Sequence, residues 1–541
     1  MVKEKIIHYK IIPIAIIGII MFLLDSLICR SIPLYTYSFI NNAIETSVHV
    51  IALLFFILVT IIIIQQISYK DKTNRNLLYD RFKYHKGYIY LMDYFKDADT
   101  HIYNTNKLQS SNWKESEGIM LGTIKDKLVA LPSDAEANLF IAGAPGSGKT
   151  SGIAIPTCLQ YGGSILAVDI KGDLYNRCHN ERNILRFCPD LKNEKGENIA
   201  IENSCTFDPF SCLKKLSDIE KKLYLQNMAL TLIPDVNASD GNYFTSRARK
   251  IFLGLTSYLI YYKEDISFPE VLHFILHNKL PEGITLEQIP DNIFHWILLI
   301  SKSPVTDAVE QLASLIGNNE KNVSGAFDCL VTALTPFSNP TLDHLLSNEN
   351  PISIDTLNNG NDVYLQISQE NLEVYAPLFT MIIASFMQEF TQRPDATTGI
   401  KNKPILILLD EFPQLTFSYS IINSALSTLR SKSVQCMLIA QSVAQLAYKY
   451  KNDGWRALLG NCTYQMILKS NEELTQKHFS TLFGTRRILK KSSSDSTYSS
   501  NNVQEDREPV YQLEDFGDLK NKLIIYFDGQ RIEANKIRSY L

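Results

Sequence analysis

The chain has 541 residues, more than one hydrophobic core usually organises, so two or three domains are expected. Its formal net charge of −4 at pH 7 argues against a protein that coats nucleic acid with its whole surface, although a ring that touches DNA only through pore loops need not be basic overall. The 9 cysteines are scattered and never form a C-x-x-C pair, which indicates reduced thiols and argues against a zinc site or a disulfide framework.

Two apolar stretches near the N-terminus, at about 11–28 and 48–67, are each long enough to span a membrane. A cleavable signal peptide fits poorly, because the first stretch is long for one and the second follows it closely. Basic residues lie outside both stretches, whereas the loop between them carries Arg30 alone, so the positive-inside rule predicts that both chain ends are cytoplasmic. Asp25 in the first stretch is interpreted as an interfacial residue, with a contact to a partner helix as the alternative.

Short apolar, β-rich runs recur after residue 137 and are separated by longer segments, several of which have a helical pattern. This alternation is typical of a doubly wound, mostly parallel sheet with helices on both faces, and it predicts an α/β fold. The predicted runs are 138–142, 164–169, 205–208, 362–367, 405–410, 434–440 and 464–469.

The pattern divides the chain into four predicted parts. A membrane anchor occupies 1–69 and a polar connector occupies 70–136. The α/β core consists of 137–212 and 347–541, and an all-α domain is inserted at 213–346, where apolar residues recur at helical spacing.

Two features are predicted near the C-terminus. The serine-rich segment 490–508 is expected to be a mobile loop. The run 522–527 is followed by Asp528 and Gly529 and indicates a hairpin strand with its turn.

A phosphate-binding loop is predicted at 143–150, GAPGSGKT, which satisfies G-x-x-x-x-G-K-[ST] between an apolar strand and a helix. Lys149 is expected to reach the outer phosphates of ATP, and Thr150 to hold Mg²⁺. A glycine turn before an ordinary helix is the alternative. Pro156 removes a helix hydrogen bond to Gly152, so a kink is expected there. The predicted nucleotide-binding residues are Gly143, Ala144, Pro145, Gly146, Ser147, Gly148, Lys149, Thr150 and Ser151.

An acidic pair ends the apolar run at 405–410, within PILILLDEFPQL. Ligands of doubly wound sheets lie at the carboxyl ends of strands, which is where Asp410 and Glu411 fall. Asp410 is predicted to hold hydrated Mg²⁺, and Glu411 to orient and deprotonate the attacking water. The alternative is a pair that only caps the following segment.

Two further residues are predicted to complete a catalytic site. Gln441 follows the next apolar strand, where an uncharged amide can sense the γ-phosphate of ATP, although a polar residue leaving a strand is the simpler interpretation. Arg430 is a candidate arginine finger for a neighbouring subunit, because a supplied positive charge stabilises the transition state. The local sequence of Arg430 alone favours an exposed arginine at a helix end.

Other polar clusters have simpler interpretations. Asp169 ends a predicted strand close to Lys171 and Asp173, and it can cap the next helix. His273 and His277 share a helix face, but the segment HFILH lacks the glutamate of a zinc protease, which argues against a metal site.

Solvent-exposed faces of the protein explain several small clusters of basic residues as well as contacts to DNA would. They comprise Arg247, Arg249, Lys250, Arg486 and Arg487.

Over nearly its full length, the chain resembles the type IV secretion coupling proteins, the membrane ATPases of conjugative DNA transfer. Two predicted spans are followed by the phosphate loop with AVDIKGDLY, then by LLDEFPQL and LRSKSVQCMLIAQSVAQL. The phosphate loop alone is shared by many families. The D-x-K-G-[DE]-L element is more specific to this family, and so is the combination of D-E-F-P with Q-S-x-x-Q-L. The resemblance implies a RecA-like P-loop NTPase core with an inserted all-α domain, and it strengthens the finger role of Arg430.

The resemblance also implies partners and a location. These are a homohexameric ring in the bacterial inner membrane, and delivery of a relaxase–DNA complex or of protein effectors to the ATPases and membrane components of a secretion channel. Two other functions stay open. One is a membrane-anchored DNA translocase for chromosome segregation or packaging, and the other is an ATP-gated receptor for protein effectors that does not contact DNA.

Overall fold

The structure of the protein is a computed structural model, and it describes most of the chain after residue 116. The described residues are 89–90, 117–124, 127–190, 204–234, 241–317, 319–347, 349, 351–395, 402–451, 453–492 and 502–537. All of them belong to one compact unit, His85–Leu541. The two predicted membrane spans, with Asp25 and Arg30, lie outside the described residues. Within the described residues, no helix combines the length and apolar character needed to cross a membrane.

The regular elements of the described residues are numbered in chain order. The strands are β1 (Ile89–Tyr90), β2 (Ile119–Ile124), β3 (Lys127–Leu131), β4 (Leu139–Ala142), β5 (Ser164–Ile170), β6 (Ile184–Phe187), β7 (Asp362–Ile367), β8 (Ile405–Leu409), β9 (Val434–Ala440), β10 (Tyr464–Ile467), β11 (Thr485–Ser492), β12 (Asn502–Pro509), β13 (Lys522–Phe527) and β14 (Gln530–Asn535). The α-helices are α1 (Ile155–Gln160), α2 (Asp173–Cys178), α3 (Asp218–Leu232), α4 (Gly241–Tyr262), α5 (Phe268–His277), α6 (Ile293–Ile300), α7 (Thr306–Ala313), α8 (Glu320–Leu334), α9 (Pro340–Leu345), α10 (Ile354–Asn358), α11 (Leu372–Thr391), α12 (Tyr419–Thr428), α13 (Val443–Lys449), α14 (Gly454–Gly460) and α15 (Glu473–Phe483).

One large sheet organises this unit. Its strand order is β1-β3-β2-β14-β13-β10-β4-β9-β8-β5-β7-β6. Every pairing from β10 to β6 is parallel, so the strands of this run end at the same edge of the sheet. Strand β9 lies between β4, which leads into the phosphate loop, and β8, which leads into the acidic pair. The predicted, mostly parallel α/β sheet is therefore confirmed.

The parallel strands form the centre of the core. Every residue of β4, β5, β7, β8, β9 and β10 is buried. Strands covered on both faces need apolar side chains at most consecutive positions, which explains why these segments appear in the sequence as predominantly apolar runs.

The predicted run at 205–208 is the exception. Within it, Thr206 forms an isolated bridge with Pro351, and Ser204, just before the run, forms another with Arg186. The Asp208 carboxylate accepts the N–H of Phe210 at 2.9 Å, which turns the chain before a strand can continue. The interpretation of 205–208 as a strand was wrong.

The sheet begins earlier than the predicted boundary at residue 137. Strands β2 and β3 fall within the predicted connector 70–136, and β2 pairs with β14 through Thr123 and Asn535. Ile119 and Leu131 are fully buried in this antiparallel part. Because the pairing partner lies about 400 residues away in the sequence, as the separation of Thr123 and Asn535 shows, local patterns could not identify it.

The described residues between 213 and 346 contain helices and no strands, as expected for the predicted insertion. Two of these helices start with a capping box, in which Ser217 pairs with Glu220 and Ser267 with Glu270. The apolar side chains of this segment belong to the same core cluster as those of the sheet. Its status as a separate domain stays a prediction.

The structure corrects the two ends of the predicted mobile loop at 490–508, whereas residues 493–501 lie outside the described residues. Strand β11 pairs antiparallel with β12 in register from Thr485 to Ser492, so residues 490–492 and 502–508 belong to a two-stranded ribbon. The pair β13 and β14 has the hairpin form predicted for 522–527, and Asp528 and Gly529 have positive φ at its turn.

Candidate nucleotide site

The predicted phosphate loop connects β4 to a helix at the carboxyl edge of the sheet. Gly146 and Gly148 adopt φ values of 70° and 87°, which side chains other than glycine rarely adopt. A side chain at Gly143 would place its Cβ 2.6 Å from Ser147 Oγ. The N–H of Ala144 donates to the carbonyl of Lys469 at 2.8 Å, and this hydrogen bond fixes the start of the loop to the segment after β10.

The helix after the loop starts with one π-helical turn, Thr150–Ala154, and continues as α1. The N–H of Ile155 donates to the carbonyl of Thr150, and Pro156 lies in the first turn of α1. A widened turn therefore lies immediately before the proline, and the kink at Pro156 stays a prediction.

Lys149 is folded onto the loop that carries it. Its Nζ donates to the carbonyl of Gly143 at 2.7 Å and to that of Ala144 at 3.3 Å, and the residue is only 7% exposed. Burial lowers the pKa of Lys149, and the carboxylates of Glu411 and Asp410 oppose that shift. The ammonium group is therefore positioned between the loop and the acidic pair.

Thr150 and Asp410 face each other across the site. The Thr150 hydroxyl donates to Asp410 Oδ2 at 3.3 Å, although 260 positions separate the two residues. Burial and then the neighbouring Glu411 carboxylate raise the pKa of Asp410 to about 6. A hydroxyl and a carboxylate at this separation provide two oxygen ligands of the kind that Mg²⁺ prefers.

Glu411 is held in an unusual backbone conformation by its neighbours. Its φ of 53° is left-handed, and its N–H donates to Asp410 Oδ1 at 3.1 Å. Gln441 Nε2 donates to Glu411 Oε1 at 3.0 Å. Glu411 Oε2 is buried without a hydrogen-bond partner among the described residues, so one carboxylate oxygen has unused acceptor capacity.

Two residues near this site were not assigned by sequence reasoning. Gln445 Oε1 accepts the backbone N–H of Gln441 at 3.1 Å, and the glutamine spacing in QSVAQ was the available signal. Lys536, from the segment after β14, packs against the phosphate loop, where a Cβ on Gly148 would lie 3.4 Å from Lys536 Cδ. No local sequence signal marks Lys536, because only the fold brings it to the loop.

Arg430 is not part of this cluster. It lies in the 3₁₀ turn Leu429–Lys432, which precedes β9, whereas Gln441 follows β9. The seven residues of β9 therefore separate Arg430 from the carboxyl edge of the sheet. Within the described residues, the Arg430 side chain makes no hydrogen bond or ion pair.

Asp169 is a helix cap, as its simpler interpretation predicts. Its two carboxylate oxygens accept the N–H groups of Leu174 at 3.0 Å and Tyr175 at 2.9 Å, at the start of α2. Burial raises the pKa of Asp169 to about 7, and these two hydrogen bonds oppose the shift.

The other polar clusters form ordinary contacts. His273 Nε2 lies 3.2 Å from Asp343 Oδ2, and the described residues contain no group of three or more side chains arranged to hold a metal ion. The cysteines of the described residues are free thiols. Arg247 stacks on the Tyr243 ring, and Arg486 pairs with Glu508 at 2.7 Å.

The residues present fit a nucleotide with Mg²⁺. Ser147 Oγ and Glu411 Oε2 are buried polar atoms without a partner in the described parts of the chain, and both belong to the predicted site. The turn at Gly146 has open space where a side chain would lie. Unsatisfied polar atoms around an open, glycine-lined loop are the pattern expected of a phosphate site.

The chain is similar in sequence to several known proteins. The conjugal transfer protein TraG of Escherichia coli is 22% identical over 362 residues, which are 64% of this chain and 54% of that protein. Protein VirD4 of Agrobacterium fabrum is 22% identical over 412 residues, 73% of this chain and 57% of that protein. The chain thus spans about half the length of the curated relatives that it matches.

A solved structure shows the same fold. The plasmid coupling protein TrwB in complex with ADP and Mg²⁺ aligns with a TM-score of 0.56 at 16% identity, covering 78% of this chain and 88% of that one. The likeness extends to a RecA-like α/β core with a mostly parallel sheet. The family described as type IV secretory system conjugative DNA transfer matches residues 101–540, and the chain therefore belongs to that family.

Proposed function

We propose that the chain is a Mg²⁺-dependent ATPase that drives conjugative DNA transfer through a type IV secretion system. The observation that carries this proposal is the convergence of Lys149, Thr150, Asp410, Glu411 and Gln441 at one edge of the sheet. Residues far apart in the sequence meet there in the arrangement that phosphoryl transfer to water requires. The structural neighbour TrwB was solved in complex with ADP and Mg²⁺, which supports nucleotide binding by a chain of this fold.

Each residue has a proposed part in hydrolysis. The backbone of 143–151 binds the phosphates, and Lys149 neutralises the charge of the outer ones. Thr150 and Asp410 would hold Mg²⁺, which neutralises charge that develops on the phosphate oxygens. Glu411 takes a proton from the attacking water, because its Oε2 is the carboxylate oxygen without a partner. Gln441 keeps the other oxygen of that carboxylate in place.

We infer the partners from the family. The chain is proposed to deliver a relaxase–DNA complex or protein effectors to a secretion channel, as a homohexamer that contacts the ATPases and inner-membrane components of that channel. The match to the conjugative DNA transfer family over 101–540 favours this over a translocase for chromosome segregation or an effector receptor that does not contact DNA.

Two substitutions test the ATPase. Lys149→Ala removes the phosphate-binding ammonium, so ATP affinity is expected to fall, as measured with a fluorescent ATP analogue. Glu411→Gln keeps the charge contacts to the phosphates but removes the proton acceptor, so ATP still binds while kcat falls by about 100- to 10,000-fold. Unchanged turnover in Glu411→Gln would move the general base to another residue.

The proposed location is the bacterial inner membrane, with two spans at about 11–28 and 48–67 and both chain ends in the cytoplasm. Single cysteines introduced at Ser38 and Ser496 test this topology with a membrane-impermeant maleimide on intact spheroplasts. We expect labelling at residue 38 only. Labelling at residue 496 from outside would contradict the proposed orientation.

A further inference from the structure

The strand order indicates the direction in which a nucleotide would lie along the carboxyl edge of the sheet. Strands β9 and β8 lie on one side of β4 and bring the acidic pair there, whereas β10, β13 and β14 lie on its other side. The outer phosphates belong to the first side, because Thr150 and Asp410 would hold Mg²⁺ there, next to Glu411. The inner end of the nucleotide, which consists of the α-phosphate and the sugar, therefore extends toward the second side.

The segment after β14 lies against the phosphate loop on this second side. A Cβ on Gly148 would lie 3.4 Å from Lys536 Cδ. One turn further along the helix, a Cβ on Gly152 would lie 3.4 Å from Lys536 Cβ and 3.5 Å from the carbonyl oxygen of Ile537. The aliphatic part of Lys536 thus runs beside the start of the helix, where the N–H groups of a phosphate loop cradle the α- and β-phosphates.

The backbone of Lys536 is fixed by its neighbours. Its N–H donates to the carbonyl of Asn521 at 2.8 Å, in the turn that precedes β13. The next residue, Ile537, is buried in a small apolar cluster that includes Met120 and Leu128. Because these contacts already hold the segment in place, a ligand that binds the side chain of Lys536 does not have to order its backbone.

The ammonium group of Lys536 has a neutral acceptor and a cationic neighbour. Its Nζ donates to the backbone carbonyl of Lys520. Burial, followed by the charge of Lys469, lowers the pKa of Lys536. Lys469 follows β10, and its own carbonyl receives the N–H of Ala144 in the phosphate loop. A phosphate group near both cations would offset their repulsion, and it would accept a stronger hydrogen bond from Lys536 than a neutral carbonyl does.

We propose that Lys536 binds the α-phosphate of the nucleotide, as the cation at the inner end of the site, whereas Lys149 serves the outer end. The flexible four-carbon chain of a lysine lets the ammonium group turn from the Lys520 carbonyl to the phosphate while the backbone stays in place. Lys469, which is exposed, adds positive potential on the same side. This inference rests on the proposed function, because it adds a residue to the same nucleotide site.

Binding is tested on the full-length chain with fluorescent analogues of ADP and ATP. Lys536→Met removes the ammonium group but keeps an unbranched chain that can pack beside Gly148 and Gly152. We expect it to weaken both nucleotides by the same factor, about 10-fold or more, because both carry the α-phosphate and a hydrogen bond to a charged group contributes about that much. The matched control is Lys477→Met, which removes an exposed ammonium group from α15 and should keep the affinity of the unmodified chain.

Two further measurements distinguish a charge contact from a packing contact. Lys536→Arg keeps the positive charge, so it should restore most of the ADP affinity that Lys536→Met loses. The difference in ADP affinity between the unmodified chain and Lys536→Met should also shrink as salt rises from about 0.05 to 0.5 M, because salt screens a partly exposed charge pair. If Lys536 acts only by packing against the helix, the difference is independent of salt and Lys536→Arg does not restore it.

Steady-state hydrolysis locates the contact along the nucleotide. The charge of the α-phosphate does not change when the γ-phosphate is transferred, so Lys536 should bind ground state and transition state equally. Lys536→Met is therefore expected to raise the KM for ATP and to leave kcat nearly unchanged. A fall in kcat at unchanged KM would place Lys536 at the reacting phosphates, and a loss of affinity confined to ATP would place it at the γ-phosphate. Either result would overturn the assignment to the α-phosphate.

The remaining outcomes separate this inference from the proposed function. Equal ADP affinity in Lys536→Met and Lys477→Met would overturn the contact, even if ATP hydrolysis is normal. ADP binding that weakens in Lys536→Met, in a chain that hydrolyses no ATP, would refute the proposed ATPase and leave the contact standing. Absence of any nucleotide binding by the unmodified chain would overturn both.

Discussion

At the scale of single residues, the site depends on how Glu411 is oriented. A left-handed backbone at a residue other than glycine costs on the order of 1 to 2 kcal/mol, and surrounding contacts must offset this. The N–H bond of Glu411 to Asp410 and the side-chain bond from Gln441 do so. Gln441 is itself fixed, because its N–H donates to Gln445 Oε1. Gln445 is therefore a positioning residue for Gln441.

We predict that Gln445→Met lowers kcat about 3- to 10-fold and leaves the KM for ATP unchanged. Loss of one hydrogen bond to a positioning residue costs about 0.5 to 1.5 kcal/mol, and this loss affects the orientation of Gln441 rather than nucleotide binding. Steady-state ATP hydrolysis provides the measurement. Gln445→Glu retains an acceptor oxygen at the same position and is expected to restore kcat. If Gln445→Glu is as impaired as Gln445→Met, the hydrogen bond is not the cause.

Residue identities were easier to predict than their contacts. Lys149 and Thr150 were assigned from eight consecutive positions, and the acidic pair from the end of one apolar run, because both patterns are local. The bond between Gln441 and Glu411 joins residues 30 positions apart, and that between Thr150 and Asp410 joins residues 260 apart. Only the order of the strands in the sheet brings these pairs together, and no local pattern specifies that order.

At the scale of elements, the strands that could be predicted from the sequence were those buried on both faces of the sheet. Strand β9 was predicted with its observed bounds, because all seven of its residues are buried and apolar or neutral. Strand β6 was missed, since its sequence ILRF is short and contains Arg186. The Arg186 guanidinium is accommodated because it donates to Gln366 Oε1 on the neighbouring strand β7. That partner could not be recognised before the pairing of β6 and β7 was known.

Helix α15 is attached to the sheet through a histidine that is kept neutral. The His478 ring nitrogen Nε2 lies 2.9 Å from Gln465 Oε1 on β10, and the ring packs against Trp455 of α14. Burial, followed by the nearby Arg456, lowers the pKa of His478 to about 4. The folded chain therefore disfavours protonation at this position.

We predict that His478 makes the fold sensitive to acid between pH 6.5 and about 4. The unfolded chain binds a proton at His478 below its ordinary pKa of about 6.5, whereas the folded chain does not until about pH 4. Stability is therefore unaffected above pH 6.5 and falls as the pH drops through this window, by about 2 kcal/mol at pH 5.

The measurement is the thermal unfolding midpoint at pH 7.5 and at pH 5. His478→Gln can still donate to Gln465, so it should match the unmodified chain at pH 7.5 and lose less stability at pH 5. The exposed His179, which contacts a backbone carbonyl and no carboxylate within the described residues, provides the control, since His179→Gln should change neither value. An equal loss in His478→Gln and in the unmodified chain would assign the acid sensitivity to other groups.

At the scale of the whole molecule, the position of Arg430 distinguishes a catalytic role within one subunit from a role between two subunits. Arg430 precedes β9 and Gln441 follows it, so the length of a seven-residue strand, about 20 Å, lies between Arg430 and the phosphate loop of the same chain. An arginine side chain cannot bridge that distance. A catalytic role for Arg430 therefore requires a second subunit whose phosphate-loop edge meets the opposite edge of this one, as in a head-to-tail ring.

We predict that Arg430→Ala abolishes ATP hydrolysis in the assembled protein while ATP affinity changes little. A finger supplied by a neighbour acts mainly on the charge of the transition state, so its loss reduces kcat by about 10³- to 10⁵-fold and leaves ground-state binding intact. The measurements are ATP hydrolysis by the assembled protein and binding of a fluorescent ATP analogue. Arg456→Ala, which removes another arginine of the same unit, is the control and should retain activity.

Mixing two inactive variants decides whether the arginine acts between subunits. In a ring built from Arg430→Ala and Lys149→Ala subunits, some interfaces pair an intact phosphate loop with an intact arginine from its neighbour. Those interfaces should recover part of the activity that neither variant shows alone. Because strictly sequential hydrolysis around the ring could suppress recovery, the mixture is assayed at several subunit ratios, with a crosslink to establish co-assembly. No recovery at any ratio, together with weakened ATP binding by Arg430→Ala, would make Arg430 a structural residue.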